Sequence, residues 1–316
     1  MLNILCFHRI VSGHRSRDWP WLIRGSAITS DRFEELLAAL SQVGDFVDED
    51  EAVAILDGQL MPERPCYWLT FDDGYRDNLR LAAPILKEHG ATPTLFLTSQ
   101  VLQEDKMLPV DRWYQCLAYA TKKRGQLPTS DGELWGFDLS RPEDRERFVS
   151  GPEKRAFKLA EASEQERWLA TLRAQLQPET EKGRYLYLGT EDLTKLGALN
   201  WFVGMHGVTH TRFTSLDDRS LRHELLTSHE VVEKLATRTS RWLAYPDGAV
   251  DQRVVDEVKR IEDSCDLRGA VTIQSRTADG ENDRWRTPRF LVKGCEFPKQ
   301  SGVGTRPVRL ISQILS

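Results

Sequence analysis

Cysteine is scarce in this chain: Cys6, Cys66, Cys116, Cys265 and Cys295 are the only five among 316 residues, and no two form a Cys-x-x-Cys pair. The odd number and wide spacing exclude a disulfide framework and a thiolate zinc site, and favour buried, reduced thiols in a reducing compartment. Long apolar runs are missing as well, none approaching the ~18 residues of a membrane span. The opening Met1-Leu2-Asn3-Ile4-Leu5-Cys6-Phe7 meets His8 and Arg9 before an export signal has formed, so a cytoplasmic location is expected. There is no Gly-x-Ser-x-Gly elbow, no Gly-x-x-x-x-Gly-Lys loop and no Gly-x-Gly-x-x-Gly turn, which leaves serine hydrolysis, nucleotide hydrolysis and dinucleotide chemistry poorly supported. The net charge is −5 and no long basic run occurs, which argues against a nucleic-acid partner. Repeats and low-complexity tracts are also lacking.

What is present is alternation. Short apolar runs at residues 2–7, 66–71, 93–98, 200–205, 241–245, 269–273 and 285–292 read as buried strands. Helical periodicity follows in 31–43 (capped by Ser30), 51–56, 75–89, 216–235 and 250–262. Strand-helix alternation implies a mostly parallel sheet or barrel. Residues 103–188 differ: charge is dense, helical periods dominate and apolar strands are not seen, so they read as a mostly helical insertion between two barrel segments, 1–102 and 189–316. Trp113, Tyr114, Trp135 and Trp168 in the insertion have the flat rings that stack on sugars, although burial between helices suits most of them better. The loop from His14 to Ile28, with Trp19, Pro20 and Trp21, is placed to overhang a site.

The chemistry begins at Leu69-Thr70-Phe71-Asp72-Asp73-Gly74-Tyr75-Arg76-Asp77, where a strand runs into two adjacent acids. Neighbouring side chains on a strand point to opposite faces, so Asp72 and Asp73 are expected to do different jobs. Far downstream, His206 and His210 stand four apart after a second apolar run, a spacing that lets both imidazoles converge on one ion. With Asp73 they make the two-histidine, one-carboxylate set of a catalytic metal site, most simply zinc, and Asp72 is left free to act as general base on the water that such an ion activates. His223 and His229, six apart on one helix, cannot share a face and read as solvated.

Thr70-Phe71-Asp72-Asp73-Gly74-Tyr75, His206-x-x-x-His210 and Arg241-x-x-x-x-Pro246-x-Gly248, in that order, resemble the first three motifs of the polysaccharide deacetylase family, also called NodB-homology or carbohydrate esterase family 4. The resemblance covers roughly residues 1–100 and 190–293. It implies a distorted (β/α) barrel of the NodB-homology type that removes an N-acetyl group from an amino sugar in a glycan or its precursor, using a divalent metal, usually Zn2+. By motif match Asp72 is the base, Asp73, His206 and His210 bind the metal, and Arg241 orients Asp72. Tyr75, Pro246 and Asp247 line the substrate site, with the backbone N–H at Asp247 helping to hold the oxyanion.

The sequence also departs from the family pattern. Gly207 stands where Ser or Thr is common, Asp247 where an aromatic is common, and no histidine after His229 supplies the late Leu-x-x-His motif. Some relatives resemble a circular rearrangement that begins with a strand ending in Tyr-His, and Leu5-Cys6-Phe7-His8-Arg9 is similar, which makes His8 the candidate general acid. Arg289 contacts substrate, pairs with Asp72 or forms a purely structural salt bridge. The alternatives to N-deacetylation are deformylation or O-deacetylation of a lipid- or nucleotide-linked sugar, and a barrel that binds carbohydrate without turnover.

Overall fold

The computed structural model describes residues 1–13, 16–129, 132–179 and 186–294; His14 and Cys295, named above, lie outside the described residues. The strands in chain order are β1 (Leu2–Phe7), β2 (Arg9–Val11), β3 (Ala27–Thr29), β4 (Asp45–Val47), β5 (Cys66–Asp73), β6 (Thr94–Leu97), β7 (Arg124–Pro128), β8 (Leu134–Asp138), β9 (Phe202–Met205), β10 (Thr239–Ala244), β11 (Gly269–Val271) and β12 (Phe290–Leu291). The main sheet runs β11-β10-β9-β6-β5-β1-β12, with β4 beside the first half of β5, and its pairings are parallel. Both faces are covered, as uninterrupted apolar strands require.

The final segment closes the curl. Thr272 N–H donates to the Thr287 carbonyl (2.9 Å) and Gln274 N–H to that of Arg289 (3.1 Å), while Phe290 and Leu291 register with Leu5 and Cys6 on the opposite edge. One stretch of chain therefore serves both sheet edges, and the result is a distorted (β/α) barrel. The single strand expected over 285–292 is corrected accordingly. Arg284–Arg286 is a 3-10 turn and only Phe290–Leu291 is strand, because the chain changes partner midway.

Strand alternation sorts two cores. Leu2, Ile4, Trp68, Phe96, Trp242, Ala244 and Val271 fill the barrel, Trp68 meeting Trp242 edge to face at 5.6 Å. Leu5, Phe7, Leu69 and Phe71 point the other way into the helical layer, against Phe33, Leu36, Leu37 and Leu40 of the helix Ser30–Val43. That helix is capped by Thr29, whose hydroxyl accepts from Arg32 N–H, rather than by Ser30. The helix after β5 has a π-helical turn at Asn78–Ala82 before Ala83–Glu88. Pro84 provides no N–H for a regular ladder there; Ala83 N–H donates to the Asn78 carbonyl five residues back, and the Asn78 side-chain amide donates to the His8 carbonyl (2.7 Å).

The 103–188 region contains the helices Pro109–Ala118, Pro142–Ser150, Pro152–Leu159 and Ala162–Leu176, and also an antiparallel hairpin of β7 and β8. The hairpin was not expected; each strand buries so few side chains that its apolar alternation is faint. Trp113 and Tyr114 are buried, and Trp135 and Trp168 pack on the same separate core, so these rings serve packing.

Cys6, Cys66, Cys116 and Cys265 are buried free thiols. Among the described residues no helix is long and apolar enough to cross a membrane. His223 is exposed and His229 half-buried.

Glu49 starts the helix Glu49–Leu56 beneath the barrel and is 3 % exposed, accepting from Thr94 Oγ1 and Arg241 N–H, both at 3.0 Å. Burial pushes its carboxyl from 4.5 up to about 7. A raised carboxyl pKa means that stability is complete below the unfolded value and is lost as pH rises through the folded one. The interval is worth about 3 kcal/mol at ~1.4 kcal/mol per pH unit. Glu49→Gln is therefore expected to flatten the pH dependence of urea unfolding between pH 4.5 and 7, and an unchanged slope in that window would refute this assignment.

Candidate metal and catalytic centre

Asp72 ends the barrel-facing column Cys66-Trp68-Thr70, whereas strict alternation would send Asp73 toward the helices. Asp73 instead adopts a left-handed backbone, φ 77°, and its carboxylate returns over the strand end. Such a conformation in a non-glycine residue costs on the order of 1 kcal/mol or more and is retained where surroundings enforce it. Gly74 follows at φ 99°, with room for no side chain: a Cβ there would lie 2.7 Å from Leu97 Cδ1.

His206 and His210 sit in the loop after β9, two strands from β5. His206 N–H donates to the Leu97 carbonyl (3.0 Å), and Ser99 and Gln100 N–H donate to the carbonyls of Gly207 and Val208. Glu224, buried on the helix Asp218–Leu235, grips the loop from outside. Its carboxylate accepts from Val208 N–H (2.6 Å), Thr209 N–H (3.0 Å) and Thr209 Oγ1 (2.6 Å). That grip explains Gly207, since a Cβ at this φ of 75° would stand 2.8 Å from Glu224 Oε2. His210, like Asp73, has a left-handed backbone, φ 62°.

Asp73 Oδ1 lies 3.5 Å from His206 Nε2 and 3.2 Å from His210 Nε2. One ligand atom from each residue falls within 4.8 Å of the others. His206 donates its Nδ1–H to the Ala244 carbonyl (2.8 Å), which leaves Nε2 as a bare lone pair facing the carboxylate. Burial lowers the pKa of both imidazoles, favouring the neutral form that binds metals. Asp73 Oδ1 is buried without a hydrogen-bond donor, and burial pushes its carboxyl up to about 6. Electron-pair donors thus converge with no proton shared between them, and two imidazole nitrogens with one carboxylate oxygen suit a divalent cation such as zinc.

Asp72 is 1 % exposed and lies against this cluster, Oδ2 standing 3.9 Å from His206 Nε2. Its partner is Arg289, 0 % exposed, whose Nη1 and Nη2 donate to Oδ1 and Oδ2 at 2.8 Å each. Burial alone would raise the Asp72 carboxyl, but the guanidinium and nearby His206 hold it well below the usual range. Cys6 adds a thiol hydrogen bond to Oδ2 at 3.3 Å.

Arg241, expected to orient Asp72, does not reach it. It lies before the end of β10, exposed and paired with Asp266 at 3.0 Å, while β12 is only two strands from β5 in the other direction. Of the readings open for Arg289, substrate contact is also corrected, because the side chain is wholly covered and paired with Asp72.

His8 follows β1 and is half-buried; its Nδ1 is buried without a partner among the described residues, and burial lowers its imidazole pKa against the raising pull of Asp73 and Asp72. Tyr75, expected among substrate contacts, is 2 % exposed, stacked on Tyr187 and hydrogen-bonded to Asp111 (2.9 Å), so it is wall rather than contact surface. Asp111 also accepts from Trp21 Nε1 (2.7 Å) and Tyr187 Oη, and so ties to the site the helix Trp19–Arg24, which stands where a loop was expected over 14–28. Pro246 is buried. Asp247, at φ 59°, is held by Arg212 Nε (2.7 Å) and Lys158 Nζ. Asp111, Glu224 and Lys158 were not singled out in the sequence, since nothing in their local pattern distinguishes them from other helix-borne charges.

A family model described as polysaccharide deacetylase matches residues 60–121 and 151–262, more than half of the chain, taking in Asp72, Asp73, His206 and His210 and reaching well into the 103–188 region, while His8 and Arg289 lie outside it. The chain is similar to the putative polysaccharide deacetylase YxkH of Bacillus subtilis (strain 168), 33 % identical over 97 residues, which is 30 % of this chain and 31 % of that protein. The matched segment therefore spans about a third of that relative. Among solved structures, it is similar to the Streptococcus pyogenes deacetylase PplD in complex with acetate (TM-score 0.59, 15 % identity, 93 % of each chain). It is also similar to IcaB from Ammonifex degensii (TM-score 0.56, 17 % identity, 93 % of each chain). At these identities the two structures establish the fold.

Proposed function

This chain belongs to the polysaccharide deacetylase family, and we propose that it is a hydrolase that removes the N-acetyl group from an amino sugar in a glycan or glycan precursor. The reading includes a divalent cation, zinc by ligand type, held by Asp73, His206 and His210. One observation carries it: the buried Asp73 Oδ1 has no donor and faces two imidazole Nε2 atoms. When bound, such an ion polarises the acetyl carbonyl and lowers the pKa of water toward ~7.

The remaining work falls to the protein. Asp72, kept ionised by Arg289, takes a proton from the attacking water; Cys6 and Arg289 hold its oxygens in place. His8 hands a proton to the departing amine as the C–N bond breaks. The backbone at Asp247, after Pro246, supports the oxyanion. The free thiols Cys6, Cys66, Cys116 and Cys265 support a reducing, cytoplasmic setting.

The test is acetate release from N-acetylglucosamine oligomers and from lipid- and nucleotide-linked acetamido sugars, with formylated counterparts to separate deformylation. Stripping with a chelator is expected to lower the rate by at least ~10²-fold, the equivalent of a few kcal/mol, and one equivalent of Zn2+ to restore it. A rate indifferent to chelation would remove the metal from the proposal.

A further inference from the structure

Lys154 is a buried amine with no hydrogen-bonded or ion-paired partner among the described residues. It lies on the helix Pro152–Leu159, 4 % exposed. Its Nζ stands 5.3 Å from the Tyr114 ring, 5.2 Å from Phe157 and 6.0 Å from Trp113. Among the described residues no carboxylate or hydroxyl forms a hydrogen bond or ion pair with it. The two acids that act on it, Asp111 and Asp247, have their own donors: Trp21, Tyr75 and Tyr187 for the first, Lys158 and Arg212 for the second. Ring faces offset only part of the cost of burying an ion. Burial lowers the ammonium to about 7, so that part of it is discharged near neutral pH, and a bound anion would keep it charged.

The position says where that anion comes from. Lys158 lies one turn further along the same helix face and contacts Asp247, which is also held by Arg212, two residues after His210. Arg24, exposed, lies close enough for its charge to act on both Tyr114 and Lys154. A line of cations thus borders the metal centre in a chain whose net charge is −5. Resting on the function proposed above, we propose that Lys154, with Arg24 and Lys158, forms an anion subsite, and that the acetamido sugar carries a phosphate or carboxylate group that it binds.

The test uses deacetylated products, so that binding is read without turnover. On the zinc-loaded protein, calorimetric affinities are compared for glucosamine, glucosamine 1-phosphate and 2-amino-2-deoxyglucuronic acid. An anionic sugar is expected to bind at least tenfold more tightly than glucosamine, and Lys154→Met to bring that ratio close to one; which anion shows the preference identifies the group. Equal binding of charged and neutral sugars by the wild-type protein, or a preference surviving in a folded Lys154→Met, overturns the subsite, the latter by assigning the anion to the metal. Should Lys154→Met not fold, Arg24→Gln gives the same reading: a two- to fivefold loss of preference supports the subsite and no loss refutes it. Acetate release without anion preference sinks the subsite alone, whereas anion preference without acetate release from any acetamido sugar sinks the hydrolase reading alone.

Discussion

Asp72→Asn is expected to lower acetate release by ~10²–10⁴-fold, the range for removing a general base, while the protein still binds one equivalent of zinc. The two effects separate because Asp72 stands beside the ligand set and outside it: its Oδ2 is 3.9 Å from His206 Nε2, and Asp73 provides the carboxylate within the cluster. An amide keeps the shape of the carboxylate but cannot accept the proton. Acetate release by single-turnover kinetics, alongside metal content by elemental analysis, checks both halves. Unchanged release would remove Asp72 from the chemistry, and loss of zinc together with activity would make it a ligand.

The second large effect concerns stability. Arg289→Leu leaves Asp72, 1 % exposed, without its guanidinium partner, and removing one member of a buried pair costs ~3–5 kcal/mol. Urea unfolding of the zinc-loaded protein should show this loss. The double variant Asp72→Asn with Arg289→Leu should cost less than the sum of the singles, because neither leaves a charge behind. Additive losses would mean that the bidentate contact does not couple the two residues. The folded Arg289→Leu protein should also lose activity at a higher pH on the acid side, since the guanidinium is what holds the Asp72 carboxyl below its usual range.

These expectations depend on partners of unequal legibility. Asp72, Asp73, His206 and His210 were readable because each lies at or within five residues of the end of an apolar run, and a parallel strand that is buried on both faces delivers its next residues to one rim of the barrel. His8 was readable on the same ground, as the residue after β1. The arginine partner of Asp72 was not. Arg241 and Arg289 both precede or enter late strands, and only the order of strands in the closed sheet places one against β5 and leaves the other in solvent. Tyr75 shares a motif with the site acids yet turns into the wall, since its hydroxyl is taken by Asp111 from the insertion.

By itself the sequence determined a mostly parallel α/β sheet or barrel, a stretch rich in helix between its strands, and acids and histidines at strand ends. Those properties follow from local periodicity and from the short reach between a strand and the turn that ends it. Tertiary structure alone decided that Arg289 neutralises Asp72, that Glu224 holds the histidine loop, and that Lys158 meets Asp247. These contacts join residues 217, 15 and more, and 89 positions apart in the case of the Lys158–Asp247 link, and pairings across such separations are set by how the sheet closes and which helix packs on which strand end.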